Sequence, residues 1–119
     1  MCYLASAPFK TGWKMETSQF RAGLAKRWPA AEIHDGEFGS PFPLEWEIQM
    51  PGGLLMGYFS DDPLGISIDG DFDDCAAVAL WFRSLVPATQ PLLFYDDCFN
   101  VDAPLTSETT VADLVAAFQ

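Results

Sequence analysis

The segment from Leu44 to Met50 alternates strictly: Leu44, Trp46, Ile48 and Met50 fall on one side, Glu45, Glu47 and Gln49 on the other. This pattern predicts a strand buried on one face and exposed on the other. Pro51-Gly52-Gly53 predicts a turn, and Leu54 to Phe59 a second strand. Ser60-Asp61-Asp62-Pro63 predicts another turn, and Leu64 to Ile68 a third strand with Ile66 and Ile68 inward. Strands joined by such short connections predict an antiparallel meander.

The period changes after Asp69-Gly70. Cys75, Val78, Phe82 and Leu85 form one helical stripe, and Ala77, Leu80 and Trp81 widen the apolar surface. Asp71 suits the N-cap, and Asp73 and Asp74 sit where free N–H groups favour carboxylates. Pro87 stops the run and disfavours helix at Val86. The prediction is a largely buried helix over 71–86, with the rest of the chain packed around it.

The remaining elements are shorter. Tyr3-Leu4-Ala5 predicts an edge strand. Phe20, Leu24 and Trp28 recur every four residues and predict a helix over residues 18 to 28, with Thr17 or Ser18 as cap and Trp13 against it. Lys26 and Arg27 fall in its last turn, where cations are favoured. Ala30 to His34 reads as a short strand, and Phe38 to Pro43 as a surface loop. Pro91 to Asp96 reads as a strand reached through a helical crossover, which invites parallel pairing. Phe99 to Ala103 reads as irregular chain or a weak edge. Thr109 or Thr110 caps a last helix on which Val111, Leu114, Val115 and Phe118 form a stripe.

This order predicts a single α+β domain over residues 1–119. Its mainly antiparallel sheet of four to six strands has helices packed on one face. The expected core is Trp46, Ile48, Leu55, Ile66, Ile68, Val78, Phe82, Leu93, Leu114 and Phe118.

Charge adds what periodicity leaves out. The chain of 119 residues has net charge -11. Residues 1 to 27 hold five of the six basic residues and one acid, a net +4. Residues 28 to 119 hold sixteen acids and only Arg83, a net -15. Such a surface repels nucleic acid and anionic membranes and attracts a basic protein. The start, Met1-Cys2-Tyr3-Leu4, lacks the basic and apolar pattern of a secretory signal, and a cytoplasmic location is expected. Cys2, Cys75 and Cys98 are widely spaced, so buried free thiols are expected rather than a disulfide framework.

Candidate chemistry is sparse. Asp69 and Asp96 end two strands that a crossover would make neighbours, with Asp71 and Asp97 close in sequence. Several oxygens in one place would hold a divalent cation, so a metal-assisted hydrolase using Asp69, Asp71 and Asp96 is the enzyme alternative. Asp69 to Asp74 begins like a calcium loop, but Asp74 stands at its glycine position and Leu80 at its glutamate position. His34, the only histidine, has Asp35 beside it and no nearby serine or cysteine in sequence. Spatial proximity to Cys75 or Cys98 stays open. Glu45 and Glu47 share a solvated strand face and would need opposing groups to act as a glycosidase-like pair. Arg83, inside an apolar helix, is expected to pair with a carboxylate from Glu45, Glu47 or the aspartates.

The meander, the helix end Leu80-Trp81-Phe82-Arg83-Ser84-Leu85-Val86-Pro87 and the Thr109-Thr110 helix start resemble those of small acidic bacterial proteins, toxin-immunity partners among them. The resemblance runs from Phe20 to Phe118. It implies binding to a cognate toxin through acidic surface, without catalysis; no cofactor is expected. Together with the charge, it leads to a non-enzymatic domain that binds a basic protein. Glu45, Glu47, Asp61, Asp62, Asp96 and Asp97 are the expected contacts, and Phe42 and Phe99 the apolar anchors. A homodimer through the edge of the Leu44–Met50 strand is a further expectation.

Overall fold

In the computed structural model, residues 2–7, 15–35, 43–61, 64–96 and 101–118 are described. The elements run β1 (Cys2–Ser6), α1 (Thr17–Arg27), β2 (Glu32–Asp35), β3 (Leu44–Met50), β4 (Gly53–Asp61), β5 (Leu64–Asp69), α2 (Phe72–Leu85), β6 (Leu92–Asp96), β7 (Asp102–Leu105) and α3 (Val111–Phe118). The strands form one sheet in the order β2-β3-β4-β5-β1-β6-β7. Every neighbouring pair is antiparallel. The fold is therefore α+β, with an antiparallel sheet and helices on one face.

The sheet has seven strands rather than four to six, because long-range pairing recruits the short segments. β1 is an interior strand, not an edge: Tyr3 lies opposite Ile68 on one side and Asp96 on the other. It fills the gap between the β2–β5 meander and the β6–β7 hairpin. The crossover through α2 does make β5 and β6 parallel to each other, but β1 lies between them. β3 is interior too, flanked by β2 and β4. A two-fold pairing through a free β3 edge is thereby ruled out. The edges are β2, only four residues long, and β7, which carries Pro104. Short or proline-bearing edges resist further strand pairing.

The hydrophobic pattern decides which face is covered. Residues directly opposite on neighbouring strands share a face. Leu44, Phe59, Ile66, Ala5 and Phe94 follow one another across five strands in this way, and all are fully buried. The helices lie on this side. Phe20 of α1 stacks on Phe59 with centroids 4.4 Å apart and meets Phe82 of α2 edge-on at 6.1 Å. At the other end Tyr3, Phe72, Phe94 and Phe118 form a second aromatic cluster. Trp46 lies over Gly57, where an added Cβ would come within 2.3 Å of the indole. The indole N–H has no hydrogen-bond acceptor among the described residues. That costs about 1–3 kcal/mol, set against burial of a very large core side chain.

Eight of the ten expected core residues are buried. Phe118 is half-buried against the core. Leu93 is a misassignment: it faces away from the helices, and Leu92 and Phe94 are the inward pair. β6 is apolar at four consecutive positions, so its sequence shows no alternation to set the parity.

Local chemistry fixes the helix ends. The Asp71 side chain caps α2 by accepting from the Asp73 N–H at 3.2 Å. Asp74, in the same turn, is buried and accepts from the Gly52 N–H at 2.9 Å. The β3–β4 turn is thus tied to the start of α2. Gly53 adopts φ +127°, a left-handed conformation that favours glycine. At α1 the Glu16 N–H donates to Gln19 Oε1 at 3.0 Å, one residue before the expected cap. At α3, Thr110 N–H donates to Asp113 Oδ2 and Asp113 N–H to Thr110 Oγ1, a reciprocal cap.

Candidate functional site

The side of the sheet away from the helices gathers a group of chemistry-bearing residues. Parity sends every second strand residue there. One row crosses all seven strands: His34, Glu45, Tyr58, Ser67, Leu4, Tyr95 and Asp102. A second runs Glu32, Glu47, Met56, Asp69 and Cys2. The seven strands contain no Lys or Arg, and the one strand residue able to carry positive charge is His34.

Three features define this face. Carboxylates gather toward β2 and β3, where Glu32 lies directly opposite Glu47. Such a like-charge pair is destabilising, by about 0.2–1 kcal/mol on the scale of cross-strand pairs. Leu54 and Met56, 53% and 41% exposed, are the exposed large hydrophobics among the described residues, and both point from β4 onto this face. Short polar bonds hold the middle: Ser6 Oγ and Tyr95 Oη are 2.8 Å apart, and Cys2 Sγ and Ser67 Oγ 3.1 Å.

The expected contact residues divide. Glu45 and Glu47 lie on this face, half-buried. Asp61 ends β4. Asp96 lies on the opposite, helix-bearing face and is only 8% exposed. It lines a cavity of about 370 Å³ with Tyr3, Phe72, Asp73, Val101, Val115 and Phe118. Phe42, Asp62, Asp97 and Phe99 lie outside the described residues, as do Trp13 and Cys98. Sequence reasoning missed Leu54 and Met56 as surface groups, although inward Leu55 and Phe59 already imply their outward direction.

The register also separates the proposed metal ligands. Asp69 lies opposite Cys2 and Asp96 opposite Tyr3. Cys2 and Tyr3 are consecutive on β1 and point to opposite faces. The two carboxylates therefore face opposite sides of the sheet, while Asp71 is engaged as a helix cap. No group of three potential metal ligands occurs among the described residues.

The other candidates resolve as follows. Cys75 is buried on the helix side, away from His34, and is a free thiol. Burial, reinforced by Asp69 and Asp74, pushes its pKa up to about 12, which makes it a poor nucleophile. Arg83, 4% exposed, donates to the main-chain carbonyls of Gln90, Leu105, Val86 and Pro87. It does not pair with Glu45 or Glu47, which lie across the sheet. Its burial lowers its pKa from the ordinary arginine value. Arg83 is a clamp between the end of α2 and the β6–β7 hairpin. The described cations outside the core, Arg21, Lys26 and Arg27, belong to α1 on the helix-bearing side. There Arg21 pairs with Asp35, and Arg27 lies 4.6 Å from the centroid of Trp28.

Comparison with protein-family models, with curated proteins and with solved structures gives no match. No helix among the described residues is long and apolar enough to cross a membrane.

Proposed function

We propose that this chain is a non-enzymatic acidic binding domain whose partner is a basic protein. We propose further that it serves as an immunity-type or regulatory protein in the bacterial cytoplasm. The observation that supports this most is the charge of the sheet. Eight carboxylates stand in the seven strands without a Lys or Arg among them. The Glu32–Glu47 pair keeps a repulsion that a partner's cation would relieve. A negative field of this kind speeds encounter with a basic protein and disfavours anionic ones. The resemblance to toxin-immunity proteins supplies the biological setting. Capture from the native host under rising salt tests it. A basic protein that binds at low salt and dissociates as salt rises is expected. A partner held equally well at all salt concentrations, or turnover of a small molecule with no protein partner, would overturn it.

A further inference from the structure

We propose that the partner seats on the helix-free face of the sheet, placing an apolar side chain on Leu54 and Met56 and Lys or Arg side chains on Glu45 and Glu47. This assignment rests on the basic partner proposed above and gives it a place and a form.

Charge alone makes encounter fast but leaves affinity low, because exposed ion pairs contribute little. Tight binding needs desolvated apolar anchors ringed by polar contacts. The helix-free face has that layout. Met56 lies directly between Glu47 on β3 and Asp69 on β5, and Tyr58 directly between Glu45 and Ser67. Met56 is thus bracketed by carboxylates on both sides, Tyr58 has one on its β3 side, and Leu54 lies opposite Gln49. A surface that fits this face presents an apolar residue among cations.

A second copy of the chain fits poorly. Two such faces would bring Glu32, Glu45, Glu47 and Asp69 of each copy against the same acids of the other. Anionic lipid and nucleic acid meet the same repulsion. The β2 edge, four residues long, offers little to strand addition.

The test is an NMR titration of the full chain with two probes. One is a short peptide alternating lysine and leucine, and the other an oligolysine of equal charge. The lysine–leucine peptide is expected to bind more tightly and to shift the amides of Glu45, Glu47, Leu54, Met56 and Tyr58. Replacing Leu54 and Met56 together by serine is expected to weaken that peptide at least about tenfold and to leave oligolysine nearly unchanged. Glu45→Lys with Glu47→Lys is expected to weaken both probes. Thermal melts of each variant check that the fold persists; substitutions at the exposed Leu54 and Met56 and the half-buried Glu45 and Glu47 are expected to leave it intact.

If both peptides bind with salt dependence but shift amides of the helix layer instead, this seat is wrong and the basic partner stands. Equal affinity for the two peptides removes the apolar anchor. If neither binds even at low salt, both proposals fall. Dimerisation abolished by the serine variants, or binding to phosphatidylserine vesicles, would overturn the assignment in favour of another occupant.

Discussion

The two faces of this sheet use the same strands to opposite ends. On the helix-bearing face, consecutive cross-strand positions are Leu44, Phe59, Ile66, Ala5 and Phe94, all fully buried. On the other face the matching row is Glu45, Tyr58, Ser67, Leu4 and Tyr95. The first set is apolar and close-packed, and it fixes the fold. The second mixes a carboxylate, hydroxyls and an apolar group, and the neighbouring row on the same face holds the Glu32–Glu47 like-charge pair, which the fold alone gives no reason to keep. Violations of local rules that bring no stability concentrate where a protein does its work.

The comparison breaks if substitutions on the two faces have similar consequences. Phe20→Ala, in the aromatic contact between α1, β4 and α2, is expected to cost roughly 3–5 kcal/mol of stability. A denaturant midpoint shifted by much less would mean that α1 is not part of the cooperative core. Arg83→Met removes the donors that hold four main-chain carbonyls. It is expected to cost about 1–3 kcal/mol and to loosen the β6–β7 hairpin first. Hydrogen exchange at Ala103 and Leu105 should rise before exchange in β3 and β4. Gly57→Ala drives a methyl group into the Trp46 ring and is expected to cost about 1–3 kcal/mol.

A pH experiment sharpens the same contrast. The folded-state pKa of Cys75 is raised from 9.0 to about 12. Its protonated form therefore supports stability fully below about 9. That support is lost as pH rises from 9 toward 12. Replacing Cys75 by alanine should flatten the alkaline fall in stability relative to the parent chain. The same thiol should resist alkylation at neutral pH unless the chain is unfolded.

Part of this was legible in the sequence, and the boundary is physical. The alternation in Leu44–Met50 set the parity of β3 correctly, and the Asp71 cap with Pro87 bracketed α2. Both signals are local. The place of β1 was not legible, because its partners lie 59 to 93 residues away and five residues carry no mark of an interior position. Leu93 was misplaced because Leu92 to Tyr95 show no apolar–polar alternation. Asp69 and Asp96 looked like neighbours until the register around β1 turned them to opposite faces. The charge asymmetry was readable from the chain alone. The meeting of Glu32 with Glu47, and of Met56 with both Glu47 and Asp69, needed the register of four strands.

The smallest expected effect bears most directly on the division between the faces. Glu47→Gln removes one charge of the opposed pair while keeping the size of the side chain. Its stability and its affinity for the lysine–leucine peptide should be measured together. If the helix-free face is kept for a partner, the variant is more stable than the parent by about 0.2–1 kcal/mol and binds the peptide more weakly. A variant that loses stability and binds the peptide as well as the parent would contradict the account.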